Sequence, residues 1–298
     1  MSQQQTKSGF VALLGRPNAG KSTLLNQLIG LKVAAVSDKP QTTRMAIRGI
    51  LTRPEGQIIF VDTPGIHKPV HQMNQRMMRA VQTVSSDADV LLLLVDATVP
   101  FGKGDQFVLD WIKTIQKPAV LWLNKIDKLK DRASLLPLIE RYRNEVSFAD
   151  FIPGSALTSE NVELLISRLF ELLPPGPLYY AETDITDQPE RTLAAEIVRE
   201  KLLQVVHDEI PYETAVYTEQ FSEEPTLTRI HCTILVERDS QKAIIIGRGG
   251  QQLKRIGTLA RQELEFLLGR KVFLQLYVKV RRHWREDSAM LDQLGIHG

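Results

Sequence analysis

Residues able to do chemistry gather first at Gly15-Arg16-Pro17-Asn18-Ala19-Gly20-Lys21-Ser22, which fits the pattern G-x-x-x-x-G-K-[ST]. Such a loop closes backbone N–H groups around a polyphosphate, and the helix after it aims a positive N-terminus at the same charge. Lys21 is placed to reach the β- and γ-phosphates and the Ser22 hydroxyl to ligate Mg²⁺, with Gly15, Asn18, Ala19, Gly20 and Thr23 completing the cradle. Ser37–Arg44 follows as a polar stretch without periodicity, a surface loop. A loop of this kind can deliver a threonine to Mg²⁺ when a γ-phosphate is present and withdraw it afterwards; Thr42 and Thr43 are both candidates. Asp62-Thr63-Pro64-Gly65 closes the next apolar run. Asp62, at the C-terminal end of a strand, is a direct or water-mediated partner for Mg²⁺. Thr63 and Pro64 shape the turn, and the Gly65 amide can meet a γ-phosphate. Lys21, Thr42, Thr43 and Gly65 are the candidate catalytic set; Ser22, Thr42, Thr43 and Asp62 are the candidate metal ligands.

A second cluster reads a base. Asn124-Lys125-Ile126-Asp127 ends another apolar run. The Asp127 carboxylate can accept two hydrogen bonds from guanine N1–H and the exocyclic amine, which adenine cannot offer. Asn124 can contact the O6/N7 edge, the Lys125 stem can cover the ring, and Ser155-Ala156 can add a backbone N–H. A site built to pair such donors strongly rejects a base that lacks them.

The elements that must hold these residues follow from apolar patterning. Val11–Leu14, Gln57–Val61, Val90–Val95, Ala119–Leu123 and Phe151–Ile152 read as strands, and Thr23–Ile29 and Val162–Leu172 as helices. Ile47–Arg53 and Gln57–Val61 flank Pro54-Glu55-Gly56, which predicts a hairpin and one antiparallel edge. The alternation predicts a doubly wound, mostly parallel sheet with the nucleotide at the strand C-termini. Residues 1–173 form this unit, 174–190 a Pro-rich linker, and 191–298 a smaller α+β domain.

In the second domain Arg191–Asp208 reads as a helix, with Leu193, Ile197, Leu202 and Val205 apolar, followed by strands over Glu213–Phe221 and Arg229–Glu237. Gly247-Arg248-Gly249-Gly250 fits G-x-x-G. Leu253, Ile256, Ala260 and Leu264 then share one helix face, and Val272–Val280 alternates as a strand. Lys242–Arg285 holds four Lys and seven Arg against Glu263 and Glu265, a net +9, within a chain whose formal charge is only +2. A basic patch beside the glycine loop Gly247–Gly250 points to a nucleic-acid face. Arg281–Arg285 adds a basic tail in which Trp284 packs rather than stacks.

The 298 residues, 43% hydrophobic and 24% charged, suit two globular domains. The single cysteine, Cys232, cannot form an internal disulfide, in keeping with a reducing cytoplasm. Met1–Lys7 is polar and reads as no signal peptide, and Val90–Val95 is too short to span a bilayer.

Taken in order, Gly15–Ser22, Thr42/Thr43, Asp62–Gly65, Asn124–Asp127 and Ser155–Ala156 resemble a Ras-type P-loop GTPase domain of the translation-factor class. The C-terminal helix–strand–strand–loop order resembles a bacterial-type KH domain, whose G-x-x-G backbone clamps about four nucleotides of single-stranded RNA; the resemblance implies Gly247, Arg248, Gly249, Gly250 and Lys254 as RNA contacts. With Gln41-Thr42-Thr43-Arg44 between them, the whole resembles the Era family. That resemblance implies a Mg²⁺-dependent GTPase that cycles between GTP and GDP and assists 30S subunit assembly. It further implies binding near the 3′ end of 16S rRNA, and a cytoplasmic monomer with peripheral contact to the inner membrane. It turns Ser240–Ile246 into a short helix, where the β-branched run alone predicts a strand. Two positions depart from common GTPase usage. Ile66 stands where many relatives hold a water-orienting glutamine, implying slow turnover aided from elsewhere, for example by an arginine finger worth about 10³–10⁵ in rate. Asn18 matches the K⁺ ligand of potassium-stimulated relatives, so K⁺ stimulation is expected. His67 reads as an exposed loop histidine. Two competing functions are an RNA-binding factor whose nucleotide site is mainly structural, and a GTPase of RNA modification.

Overall fold

The computed structural model describes residues 6–39, 41–206 and 213–297. Met1–Gln5, Pro40 of the polar loop and His207–Asp208 of the expected helix lie outside the described residues.

Six strands, β1 (Lys7–Gly15), β2 (Ile47–Arg53), β3 (Gly56–Asp62), β4 (Val90–Asp96), β5 (Ala119–Asn124) and β6 (Asp150–Pro153), form one sheet in the order β2-β3-β1-β4-β5-β6. Only β2 runs antiparallel, paired to β3 with Ile50 opposite Ile59, as the hairpin reading predicts. The central strands bury both faces, which is why they read as continuous apolar runs. Val11 and Leu13 of β1, with Leu92 and Leu94 of β4, pack on one side under α1 (Lys21–Ile29) and α5 (Val162–Leu172). Ala12, Leu14, Leu91 and Leu93 face the other side, under α2 (Gln72–Asp87), α3 (Lys103–Lys113) and α4 (Leu135–Arg143). The loops at the C-terminal ends of β1, β3, β5 and β6 therefore converge and carry Gly15–Ser22, Asp62–Gly65, Asn124–Asp127 and Ser155–Ala156, while Thr42 and Thr43 lie on the loop between α1 and β2.

The 174–190 stretch is strapped to the sheet edge rather than extended free. Ile50 N donates to Ile185 O at 2.9 Å, Gln57 Oε1 accepts from the amides of Tyr179 and Tyr180 at 2.9 Å, and Arg48 pairs with Asp187 at 2.6 Å.

Beyond it come α6 (Glu190–Val205), β7 (Ala215–Glu223), β8 (Thr228–Val236), α7 (Asp239–Ile246), α8 (Gln251–Leu268) and β9 (Val272–Val280). The sheet order is β7-β8-β9, antiparallel then parallel. One core joins Ile197 and Leu202 of α6, Ile256 and Leu264 of α8, and the buried Cys232 of β8. The run that propensity alone assigns to a strand is the helix α7. Gln241 explains the outcome: its Oε1 accepts from the amides of Glu237 and Arg238 at 2.9 and 3.0 Å, a cap that starts a helix. A last helix, α9 (Ser288–Gln293), folds back on α2. Met73 and Met77 of α2 meet Trp284, Met290, Leu291 and Ile296 in a separate apolar cluster between the two units.

Candidate functional site

The phosphate loop leaves β1 at Gly15 and enters α1 at Lys21. Lys21 is buried, with Nζ donating to the carbonyls of Gly15 and Arg16 at 3.4 and 3.3 Å. Beside it three oxygen-bearing side chains converge. Ser22 Oγ lies 2.6 Å from Asp62 Oδ2 and 2.8 Å from Thr43 Oγ1, and Thr43 Oγ1 lies 3.1 Å from the same Asp62 oxygen; with one proton on each hydroxyl, two of these three contacts are hydrogen bonds at any moment. Burial raises the pKa of Asp62 against the opposing charge of Lys21, and burial lowers that of Lys21 against Asp62. Asp62 Oδ1 is buried with no hydrogen-bond partner among the described residues. Hard oxygen donors with one orphaned carboxylate oxygen suit Mg²⁺, directly or through water. Thr42 behaves differently: its hydroxyl donates to Lys39 O at 2.6 Å, away from the cluster. Thr43 is thus the threonine that the loop brings to Asp62.

The turn after β3 lies hard against the phosphate loop. A Cβ on Gly65 would stand 2.8 Å from the Pro17 backbone, so only glycine permits the approach. Thr63 Oγ1 donates to Leu13 O at 2.7 Å, and Pro64 is buried in the same turn. Ile66 turns inward, 2% exposed among Leu14, Met78 and Val81, while its amide donates to Gly15 O at 3.0 Å. No side chain from position 66 faces the phosphates. His67 is half-buried, not exposed as expected. Its Nδ1–H donates to Gly65 O at 2.7 Å and Nε2 lies 3.3 Å from the Gln41 amide, bridging the turn to the polar loop.

At the base end Asn124 is held by partners within the protein. Asn124 is 2% exposed; its Nδ2 donates to Ala19 O at 2.8 Å and its Oδ1 accepts from the Ala156 amide at 3.0 Å. Both polar atoms are engaged within the protein, so Asn124 is a strut tying the phosphate loop to the loop after β6. The Ser155 amide donates to Glu160 O at 3.1 Å. The N–H groups expected to face a base are therefore used to shape its rim. Lys125, held at φ 67°, extends to Asn18 O at 2.8 Å and to Asp96 at 2.5 Å, and so bridges the phosphate loop to the end of β4. Asp96, at the end of β4, carries no motif and is missed by sequence reading. Asp127 is exposed in the 3-10 turn Ile126–Lys128. Asn18, at φ 63°, donates from Nδ2 to Asp38 O at 2.6 Å and so meets the polar loop.

In the second unit Gly247, Gly249 and Gly250 take φ values of 72°, 59° and 77°. At Gly249 and Gly250 an added Cβ would meet nothing within 4 Å, so left-handed backbone rather than lack of room demands glycine there. Arg248, Gly249 and Lys254 are exposed at the start of α8, where the helix N-terminus favours an anion. The basic patch is narrower than its formal charge. Lys279 pairs with Glu219, Arg261 with Glu265, Arg270 with Glu190, Arg281 with Asp287 and Arg285 with Glu237. Lys242, Arg248, Lys254 and Arg255, around the glycine loop, form no ion pair among the described residues. Trp284 is fully buried, as expected, with Nε1 donating to Glu213 O at 3.1 Å and Arg44 over its ring at 5.7 Å.

Sequence reading also missed Glu196, Arg199 and Glu200 of α6, buried charges that contact the polar loop. Their one signal is charge at i, i+3 and i+4 on the same helix as Ala194, Ile197 and Val198, in a segment that carries other charges as well.

Comparison with known proteins agrees with both units. A family model described as a 50S ribosome-binding GTPase matches residues 10–125, and one described as a KH domain matches residues 209–285. The chain is 46% identical over 290 residues to GTPase Era of Staphylococcus epidermidis, covering 97% of each, and 45% identical over the same length to GTPase Era of Staphylococcus haemolyticus. A crystal structure of an Aquifex aeolicus Era variant with GDP and AlF4⁻ superposes with a TM-score of 0.95 at 40% identity, covering 98% of this chain and 100% of that one. An Era complex with MgGDPNP and nucleotides 1506–1542 of 16S ribosomal RNA gives the same TM-score, identity and coverage. Identity at this level over nearly the full length, on a GTPase unit followed by a KH unit, means that the chain belongs to the Era family of GTPases.

Proposed function

We propose that this GTPase acts in 16S rRNA maturation and assembly of the small (30S) ribosomal subunit, with its KH unit holding unpaired RNA near the 3′ end of 16S rRNA according to GTP or GDP state. The observation that carries the GTPase chemistry is the cluster of Ser22, Thr43 and Asp62 with its orphaned Asp62 oxygen. Support for the RNA target comes from the relative solved with MgGDPNP and 16S rRNA nucleotides. The unpaired Lys242, Arg248, Lys254 and Arg255 around the glycine loop supply the phosphate contacts.

In this reading Ser22 and Thr43 hold Mg²⁺, with Asp62 beside them. A bound Mg²⁺ neutralises charge spread over the transferred phosphoryl oxygens. Lys21 exchanges its loop carbonyls for the β- and γ-phosphates, and the amides from Asn18 to Thr23 cradle them. The Gly65 amide faces the γ-phosphate. Asp127 accepts from guanine, Lys125 covers the ring, and the Asn124 strut keeps the two loops in register. Ile66 lies in the core, so no side chain at that position orients water, and intrinsic turnover is slow. Asn18, at the mouth of the loop beside Asp38 O, is positioned to help hold a K⁺ that offsets transition-state charge.

Residues 1–173 and 191–298 are the two functional units, with 174–190 as the connection. We place the protein in the cytoplasm as a monomer with peripheral contact to the inner membrane, as the family resemblance implies. Among the described residues no helix is long and apolar enough to cross a membrane.

Single-turnover GTP hydrolysis, with and without an RNA of the 16S 3′ end, tests the proposal. Acceleration by that RNA, greater in K⁺ than in Na⁺ buffer, is expected. An RNA that neither binds nor changes the rate would refute the ribosomal role, and equal rates in the two salts would refute the K⁺ site alone.

A further inference from the structure

Helix α6 belongs to the KH unit, yet it turns three buried charged residues, Glu196, Arg199 and Glu200, toward the polar loop of the other unit. Buried charges are costly unless they are paired, so their partners reveal what they do. Arg199 Nε donates to Glu196 Oε1 at 3.0 Å, while its Nη2 donates to Glu196 Oε2 and to the carbonyl of Thr42. One residue on, Glu200 accepts from the backbone N–H of Val36 at 2.8 Å and from Lys32 at 2.7 Å. The loop from Val36 to Thr42 is thus gripped near both ends by a single helix. Thr43, one peptide unit beyond the tethered carbonyl, places its hydroxyl on Asp62 and Ser22. Because a peptide unit is planar, fixing the Thr42 carbonyl restricts where Thr43 can point.

We propose that Arg199, locked by Glu196, is a positioning residue for GTP hydrolysis, holding the loop by the Thr42 carbonyl so that the Thr43 hydroxyl stays at the metal cluster. This inference rests on the reading of Thr43 as a Mg²⁺ ligand. Arg199 touches neither nucleotide nor metal and acts through Thr43. Arginine suits the task because its planar fork spans a carboxylate and a carbonyl together, whereas a lysine ammonium is a single point. Since α6 packs in the KH core against α8, which begins at the glycine loop, displacement of that unit moves the tether.

The full-length protein provides the test. Arg199→Ala leaves Glu196 buried and unpaired, with misfolding as the hazard. The informative variant is the double substitution Arg199→Met with Glu196→Leu, which removes both charges at similar volume. Arg199→Lys is a second variant that keeps the charge. Steady-state hydrolysis, Mg²⁺-dependent affinity for a fluorescent non-hydrolysable GTP analogue and for GDP, and a thermal melt are measured for each. Expected for the double variant are folding, unchanged GDP affinity, a kcat lower by about 10- to 100-fold, as a 1 Å misplacement can cost, and a several-fold higher Mg²⁺ requirement for the GTP analogue. Arg199→Lys recovers part of the loss. Equal weakening for GDP and the GTP analogue would show a merely structural role and overturn the inference. Wild-type kcat and Mg²⁺ dependence in the folded double variant, or in Arg199→Lys should the double variant not fold, would overturn it as well. No hydrolysis by the wild type would instead overturn the proposed function, and the inference with it.

Discussion

A carboxylate with no solvent exposure, such as Asp62, needs a cation close by, and Lys21 supplies that positive charge. Burial pushes each group toward its neutral form, and the charge of the other opposes that shift. Asn124 shows a different economy at the base end. Replacing it by alanine leaves the Ala156 amide and the Ala19 carbonyl without their partners. Asn124→Ala is expected to cost about 1–3 kcal/mol in chemical denaturation, the usual cost of an unsatisfied buried group, and to weaken GDP binding. Unchanged stability and affinity together would show that the strut is dispensable. Sequence reading located Asn124 by its motif but not its partner, because a four-residue string does not show that Ala19 lies across the loop. It also left Thr42 and Thr43 open. Adjacent residues on an aperiodic loop give no facing rule, and only the Lys39 carbonyl under Thr42 separates them.

At the scale of elements, α9 fastens the KH unit to α2. Arg76 bonds Asp292 at 2.5 Å and Ile296 O at 3.0 Å, above the apolar cluster of Met73, Met77, Trp284 and Leu291. Leu291→Ala should lower stability by about 2–5 kcal/mol and raise hydrogen exchange in α2, because the cavity opens where the tail packs on that helix. A loss under about 0.5 kcal/mol would show that α9 is a passive cover. The G-unit strands were legible because strands buried on both faces leave unbroken apolar runs, and the β2–β3 hairpin because its turn carries Pro and Gly. Helix α7 was legible only through family resemblance, since local β-branching argued against it until the Gln241 cap was seen. The joint between α9 and α2 was not legible at all: methionines at helical spacing fit any core.

For the whole molecule, two binding surfaces share one frame. Lys21→Ala should abolish nucleotide binding and leave RNA affinity within a few-fold. Gly249→Asp, which forces a side chain and a negative charge into left-handed backbone at φ 59°, should do the reverse. Filter binding and calorimetry on each variant check this, and loss of both activities in either one would mean the sites are not separable. The net +9 read from sequence overstated the RNA face, because pairing partners such as Glu190 for Arg270 lie 80 residues away along the chain. Among the described residues, the cations around the glycine loop that form no ion pair are Lys242, Arg248, Lys254 and Arg255. RNA binding should therefore weaken with salt, with a logarithmic slope of about −0.7 per phosphate neutralised.

The most direct measurement is isothermal titration of the full-length protein with GTP analogue and with ATP analogue in Mg²⁺ buffer, for the wild type and for Asp127→Asn. The expected result is that the wild type binds the guanine nucleotide at least about 10³-fold more tightly, as a site pairing buried donors should, and that Asp127→Asn loses this preference and gains xanthosine triphosphate, whose 2-oxo group the new amide can meet. Equal affinity for the two analogues, or binding that ignores Mg²⁺, would contradict it.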